Sequence, residues 1–86
     1  MTNDPVVLAH LSYNLQDAHE ELERLLKMTG PDGEMDESYF DVKFAHMYWH
    51  LNTAWNTRNF TNEELQASDH DETNRHGQFP TDLKPI

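Results

Sequence analysis

The chain has 86 residues, a net charge of −10 from 16 acids against 6 Lys and Arg, and no cysteine. That charge repels the phosphate backbone of nucleic acids and anionic membrane surfaces, and the missing thiols exclude disulfides and thiolate metal sites. This length suits one small domain, which buries only about 60% of its unfolded surface and needs good helix packing, a His/carboxylate metal site or self-association to be stable. Residues 1–30, 31–60 and 61–86 carry −3, −3 and −4, so the acidity is even rather than blocked. No run approaches the ~18 apolar residues of a membrane-spanning helix. The opening MTNDPVVLAHLS lacks the basic-then-apolar layout of a secretory signal. A soluble, cytoplasmic protein that binds neither nucleic acid nor membrane is expected.

The first predicted helix covers about 5–29. Asn3 or Asp4 supplies a side-chain acceptor for the free amides of the first turn, and Pro5 suits the first helical position. Leu8, Leu11, Leu15, Ala18, Leu22 and Leu25 follow at alternating spacings of three and four, the seam of a helix packed against a partner. Val7 and Leu26 widen it. Glu20–Arg24 and Glu23–Lys27 are i,i+4 pairs in the favourable orientation, and Lys27 complements the carbonyl end of the helix. Gly30 and Pro31 end it, and GPDGEM (30–35) reads as a turn. So short a connection predicts an antiparallel hairpin.

The second predicted helix, about 37–59 with Asp36 as its N-cap, is the stretch around which the chain is organised. It holds both tryptophans. Phe40, Phe44, Met47, Leu51 and Ala54 form a seam that answers helix 1, flanked by Tyr48 and Trp55. Val42, Ala45 and Trp49 make a second apolar stripe on the far side, where a solvent-facing helix is normally polar. One partner helix cannot cover both stripes. The interface residues expected from this pattern are Val42, Ala45, Tyr48, Trp49 and Trp55, pairing two hairpins into a homodimeric four-helix bundle.

Phe60-Thr61-Asn62-Glu63-Glu64-Leu65 has the spacing of a capping box and of a hydrophobic staple, so a short third helix is expected at about 62–68. The domain is therefore read as 1–68. Residues 69–86 are read as a mobile acidic tail in which Phe79, Leu83 and Ile86 can dock as a strap.

Chemistry-bearing constellations are few. His46 and His50 share one helix face at i,i+4, and His19 and Glu23 have the same spacing on helix 1, so a zinc or other divalent-metal site can be drawn across the hairpin. The inward Glu-x-x-His pairs of di-iron bundles are missing, however. The blander expectation is that His46 and His50 are surface or interface side chains. They repel when both are protonated, which would weaken a dimer that buried them. Ser12, Ser38 and Ser68 stand in no nucleophile motif, and the three glycines make no phosphate loop. Arg58 is expected to pair with Asp4 or a tail carboxylate. The functional expectation is a small acidic, non-catalytic interaction or regulatory protein without a cofactor, self-associating and suited to a basic protein partner. The alternative is a metal-binding helical protein using His46, His50, His19 and Glu23.

Overall fold

Local capping fixes where each helix starts. The computed structural model describes residues 1, 3–68 and 74–86, and among them has the helices α1 (Pro5–Met28), α2 (Glu37–Thr57) and α3 (Asn62–Ala67), helical backbone again at 74–76, and no strand. Asp4 Oδ1 accepts from the Val6 amide at 2.9 Å, and Asp36 Oδ2 accepts from the Tyr39 amide at 3.1 Å. At Thr61 the capping box is complete, with the Glu64 amide donating to Thr61 Oγ1 and the Thr61 amide donating to Glu64 Oε1. Gly33 turns so tightly beneath α1 that a Cβ there would overlap the Met28 carbonyl. The chain then returns, and α2 runs antiparallel to α1: Asn14 meets His50 while Glu21 meets His46 and Lys43. No helix among the described residues is long and apolar enough to cross a membrane.

The roll of α1 differs from the leucine seam. The residues it buries are Val7, Leu11, Asn14, Ala18, Glu21 and Leu25, whereas Leu8, Leu15 and Leu22 remain 38%, 51% and 43% exposed. Both rows have three-four spacing and share Leu11, Ala18 and Leu25, so hydrophobic periodicity alone does not separate them. The hydrogen bonds of Asn14 and Glu21 to α2 do. On α2, Met47 and Ala54 are buried as the seam predicts, but they are joined by His50, Asn52, Thr53 and Thr57, while Leu51 is 38% exposed. The core between the helices is therefore part polar, and the hairpin has two unlike edges.

Residues 74–86 lie along α2. Asn52 Nδ2 donates to the Gly77 carbonyl at 3.0 Å, and Asn56 Nδ2 to the carbonyls of His76 and Gln78 at 2.7 and 2.9 Å. Phe79 packs at a tilt against Tyr48, centroids 5.2 Å apart, and His76 meets Phe60 edge-on at 5.1 Å. Asp82 accepts from Trp55 Nε1 at 2.9 Å and pairs with Arg58 at 3.4 Å, the tail carboxylate expected for that arginine. Of the predicted strap residues, Phe79 makes a ring contact with α2, although it remains 70% exposed. The start of the tail, residues 69–73, lies outside the described residues.

Candidate functional site

The apolar edge is a cleft of about 1230 Å³ between the leucine row of α1, the Tyr48–Leu51–Trp55 side of α2, and residues 79–86. Leu8, Leu15, Leu51, Leu83 and Ile86 are among the apolar side chains that line it. No Asp or Glu among the described residues lines it; its charged lining is Arg58 and Lys84. The Arg58 guanidinium carbon lies over the Trp55 ring, 3.7 Å from its centroid, a cation–π contact between two residues that line the cleft. Asp82 anchors the same pair. Its carboxyl is held below the usual carboxylate range, first by the Trp55 N–H and further by Arg58, against an opposing desolvation. The volume exceeds the ~300–1,000 Å³ of typical small-molecule pockets, and the cleft is open along its length.

Trp49 and the stripe around it are placed elsewhere. Trp49 is half-buried beneath residue 77, where a Cβ would overlap its Cδ1 and Nε1 atoms. Val42 is 65% exposed and Ala45 is also exposed. Of the five predicted interface residues, Tyr48 and Trp55 thus line the large cleft. Ala45, Tyr48 and Trp49 line a smaller one of about 550 Å³ with Phe40, Phe44 and Phe79.

No family model, curated protein or solved structure matches the chain. The reading of its function therefore rests on geometry.

The opposite edge is polar and closely bonded. Asn14 Nδ2 donates to the His10 carbonyl at 3.0 Å, which orients the amide and leaves Oδ1 facing His50 Nδ1 at 2.8 Å. His46 Nδ1 lies 3.1 Å from Glu21 Oε1, and the Nε2 atoms of His46 and His50 are 3.2 Å apart. Asp17 Oδ2 stands 3.6 Å from His50 Nε2. Glu21 also receives Arg24 Nη1 at 3.0 Å, with Lys43 Nζ 3.9 Å from its other oxygen. Glu21 and His50 are 4% and 6% exposed, so they are core residues rather than surface charges. Burial, and next the charge of His46, lowers the pKa of His50 below the ordinary histidine value, although Asp17 and Glu21 pull the other way.

The four metal-site candidates separate into two pairs. His46 and His50 come together, with ring centroids 4.6 Å apart, and their helix 1 neighbours are Asp17 and Glu21. His19 and Glu23 pair with each other at 3.5 Å, both well exposed, and are not brought to the histidines of α2. Two residues correspond to about 200° around a helix, so the roll that turns Glu21 inward turns His19 and Glu23 outward. Among the described residues no three His, Asp or Glu side chains stand ready-gathered around a metal ion. Asn14, Asp17 and Glu21 were missed because the leucine row gave a competing roll. Their spacing at i, i+3 and i+7 was the signal that could have revealed a polar stripe.

Proposed function

We propose that this chain is a small, non-catalytic interaction protein whose working surface is the leucine-lined cleft, and that its occupant is the same cleft of a second copy. The single observation that carries the reading is the exposure of Leu8, Leu15, Leu22 and Leu51 along one edge of a two-helix hairpin. A hairpin that leaves its best heptad row uncovered has half of a four-helix bundle's core, and a second hairpin supplies the other half. The two long helices, 24 and 21 residues, are close enough in length for two copies to cover each other's apolar edge. No Asp or Glu among the described residues lines the cleft, so opposed copies bring no side-chain carboxylates of that lining together at the apolar centre. The stripe of Val42, Ala45 and Trp49 fits the role less well, because residues 76–79 already occupy its Trp49 end.

Sedimentation equilibrium on wild type, Leu15→Glu and Val42→Glu tests the reading. A wild-type dimer that Leu15→Glu splits and Val42→Glu leaves intact is expected. If Val42→Glu is the variant that splits it, the interface is the outer stripe. If wild type is monomeric throughout the micromolar range, self-association fails, and the cleft is left to a different protein, for which the acidic surface favours a basic one.

A further inference from the structure

The polar edge has a hydrogen-bond inventory that does not close without a cation. Asn14 Oδ1 and Glu21 Oε1 are acceptors, so His50 Nδ1 and His46 Nδ1 are each the N–H side of their ring. In two neutral rings this leaves a lone pair on each Nε2, and those two atoms face one another at 3.2 Å. Two lone pairs at that distance repel unless a proton or a metal ion lies between them. Two nitrogens bound to one tetrahedral zinc at 2.0–2.1 Å sit about 3.3–3.4 Å apart, close to the separation observed.

The surroundings fit the metal. Each histidine has its outer nitrogen held by an oxygen, the arrangement that fixes tautomer and ring direction in metal sites. Asp17 stands 3.6 Å from His50 Nε2 with its side chain 27% exposed, open enough to swing toward the gap as a third donor. The buried Glu21 Oε2 has no hydrogen-bond partner; Arg24 holds the other oxygen at 3.0 Å, and Lys43 stands 3.9 Å from this one. The His46 side chain is 52% exposed, which gives an ion a way in.

We infer that His46 and His50, through their Nε2 atoms and with Asp17 as third ligand, form a binding site for a divalent transition metal of the zinc class, with water completing the coordination. Asn14 and Glu21 are its positioning residues. This site lies on the edge opposite the leucine cleft and is independent of the proposed dimer.

Zinc alone, titrated by calorimetry into the full chain, is the first test, with cobalt as a spectroscopic probe whose visible band reports four-coordination. Saturable binding of one ion per chain is expected. His46→Gln, on the open side of the cluster, should abolish it, and Asp17→Asn should weaken it at least tenfold. Asn14→Ala should weaken it about 10–100-fold and Asn14→Asp, which keeps the acceptor oxygen, should restore much of that loss. An incidental i,i+4 histidine pair would be indifferent to Asn14 and Asp17. Circular dichroism of each variant separates lost binding from lost fold. No saturable binding, one ion per two chains, or binding unchanged in His46→Gln or in Asp17→Asn overturns the site.

Discussion

Residue 77 rests directly on an indole: any Cβ there overlaps Cδ1 and Nε1 of Trp49. Gly77→Ala therefore must push residues 76–78 off α2 or turn the ring, and overpacking of this kind costs about 1–3 kcal/mol. The expected signature is loss of the Asn52 and Asn56 bonds, read as collapse of their downfield-shifted side-chain amide resonances toward free-asparagine positions. Unchanged amides in that variant would mean the strap does not depend on this contact. Two titrating residues give pH dependences of the same sign in different ranges. Burial, and secondarily the charge of His76, lowers the pKa of His10 in the fold. The unfolded chain takes up a proton near pH 6.5 while folded His10 stays neutral to lower pH, so stability is full above that value and falls as the pH drops through it. The urea midpoint, measured with chelator present, should rise from pH 5 to 7, and more steeply in wild type than in His10→Gln; equal slopes would refute the assignment. Asp82 works in the acid range, since its lowered pKa favours the fold above the ordinary carboxylate value of 3.8, and that contribution is lost as pH falls through the depressed value. The Trp55 indole N–H resonance should move in that range in wild type and stay flat in Asp82→Asn.

At the scale of the helices, the issue is how α1 is rolled. Glu21 is 4% exposed and bonded to Arg24 and His46, yet its partners Arg24 and His46 are half-exposed and can regain water if the carboxylate goes. Glu21→Gln should therefore cost about 1–2 kcal/mol, less than the 3–5 kcal/mol of breaking a wholly buried pair, and Glu21→Leu should recover most of it by burying apolar surface at the same position. Denaturant melts that rank Glu21→Leu below Glu21→Gln would show that the charge cluster, not apolar contact, sets the register. The same helix shows what the sequence made legible. The N-caps of the three helices at Asp4, Asp36 and Thr61, the turn and the antiparallel return follow from local chemistry, and the structure has all of them. The roll does not, because Leu8–Leu15–Leu22 and Val7–Asn14–Glu21 are rows of equal spacing around the shared Leu11, Ala18 and Leu25. Choosing between them needs the polar partners on α2, His50 and His46, which lie 36 and 25 residues away in the chain. For the same reason His46 and His50 were legible as a pair while Asp17 and Glu21 were not legible as their neighbours. The docking of residues 74–86 was harder still, since it is carried by backbone carbonyls accepting from Asn52 and Asn56, bonds that leave no mark in a hydropathy pattern.

At the scale of the whole molecule, the proposed pairing sets apolar attraction against charge. Each copy carries −10, so two brought together concentrate −20 within a particle whose single chain spans 46 × 29 × 23 Å. Because no acid among the described residues lines the cleft, this repulsion acts between outer faces through solvent, where salt screens it over about 10 Å at 0.1 M and 30 Å at 0.01 M. The attraction comes from covering leucines, each worth about 1.5–3 kcal/mol when fully buried and each counted twice in a symmetric interface, and salt hardly touches it. Dimerisation should therefore tighten as salt is added, on the order of tenfold between 0.01 and 0.5 M, the reverse of an association driven by ion pairs. Leu15→Glu adds two charges to the centre of the interface and should stay monomeric even at high salt. Sedimentation equilibrium across a salt series reads both effects. A dimer that weakens with salt would place the contacts on Arg58 and Lys84 rather than on the leucines.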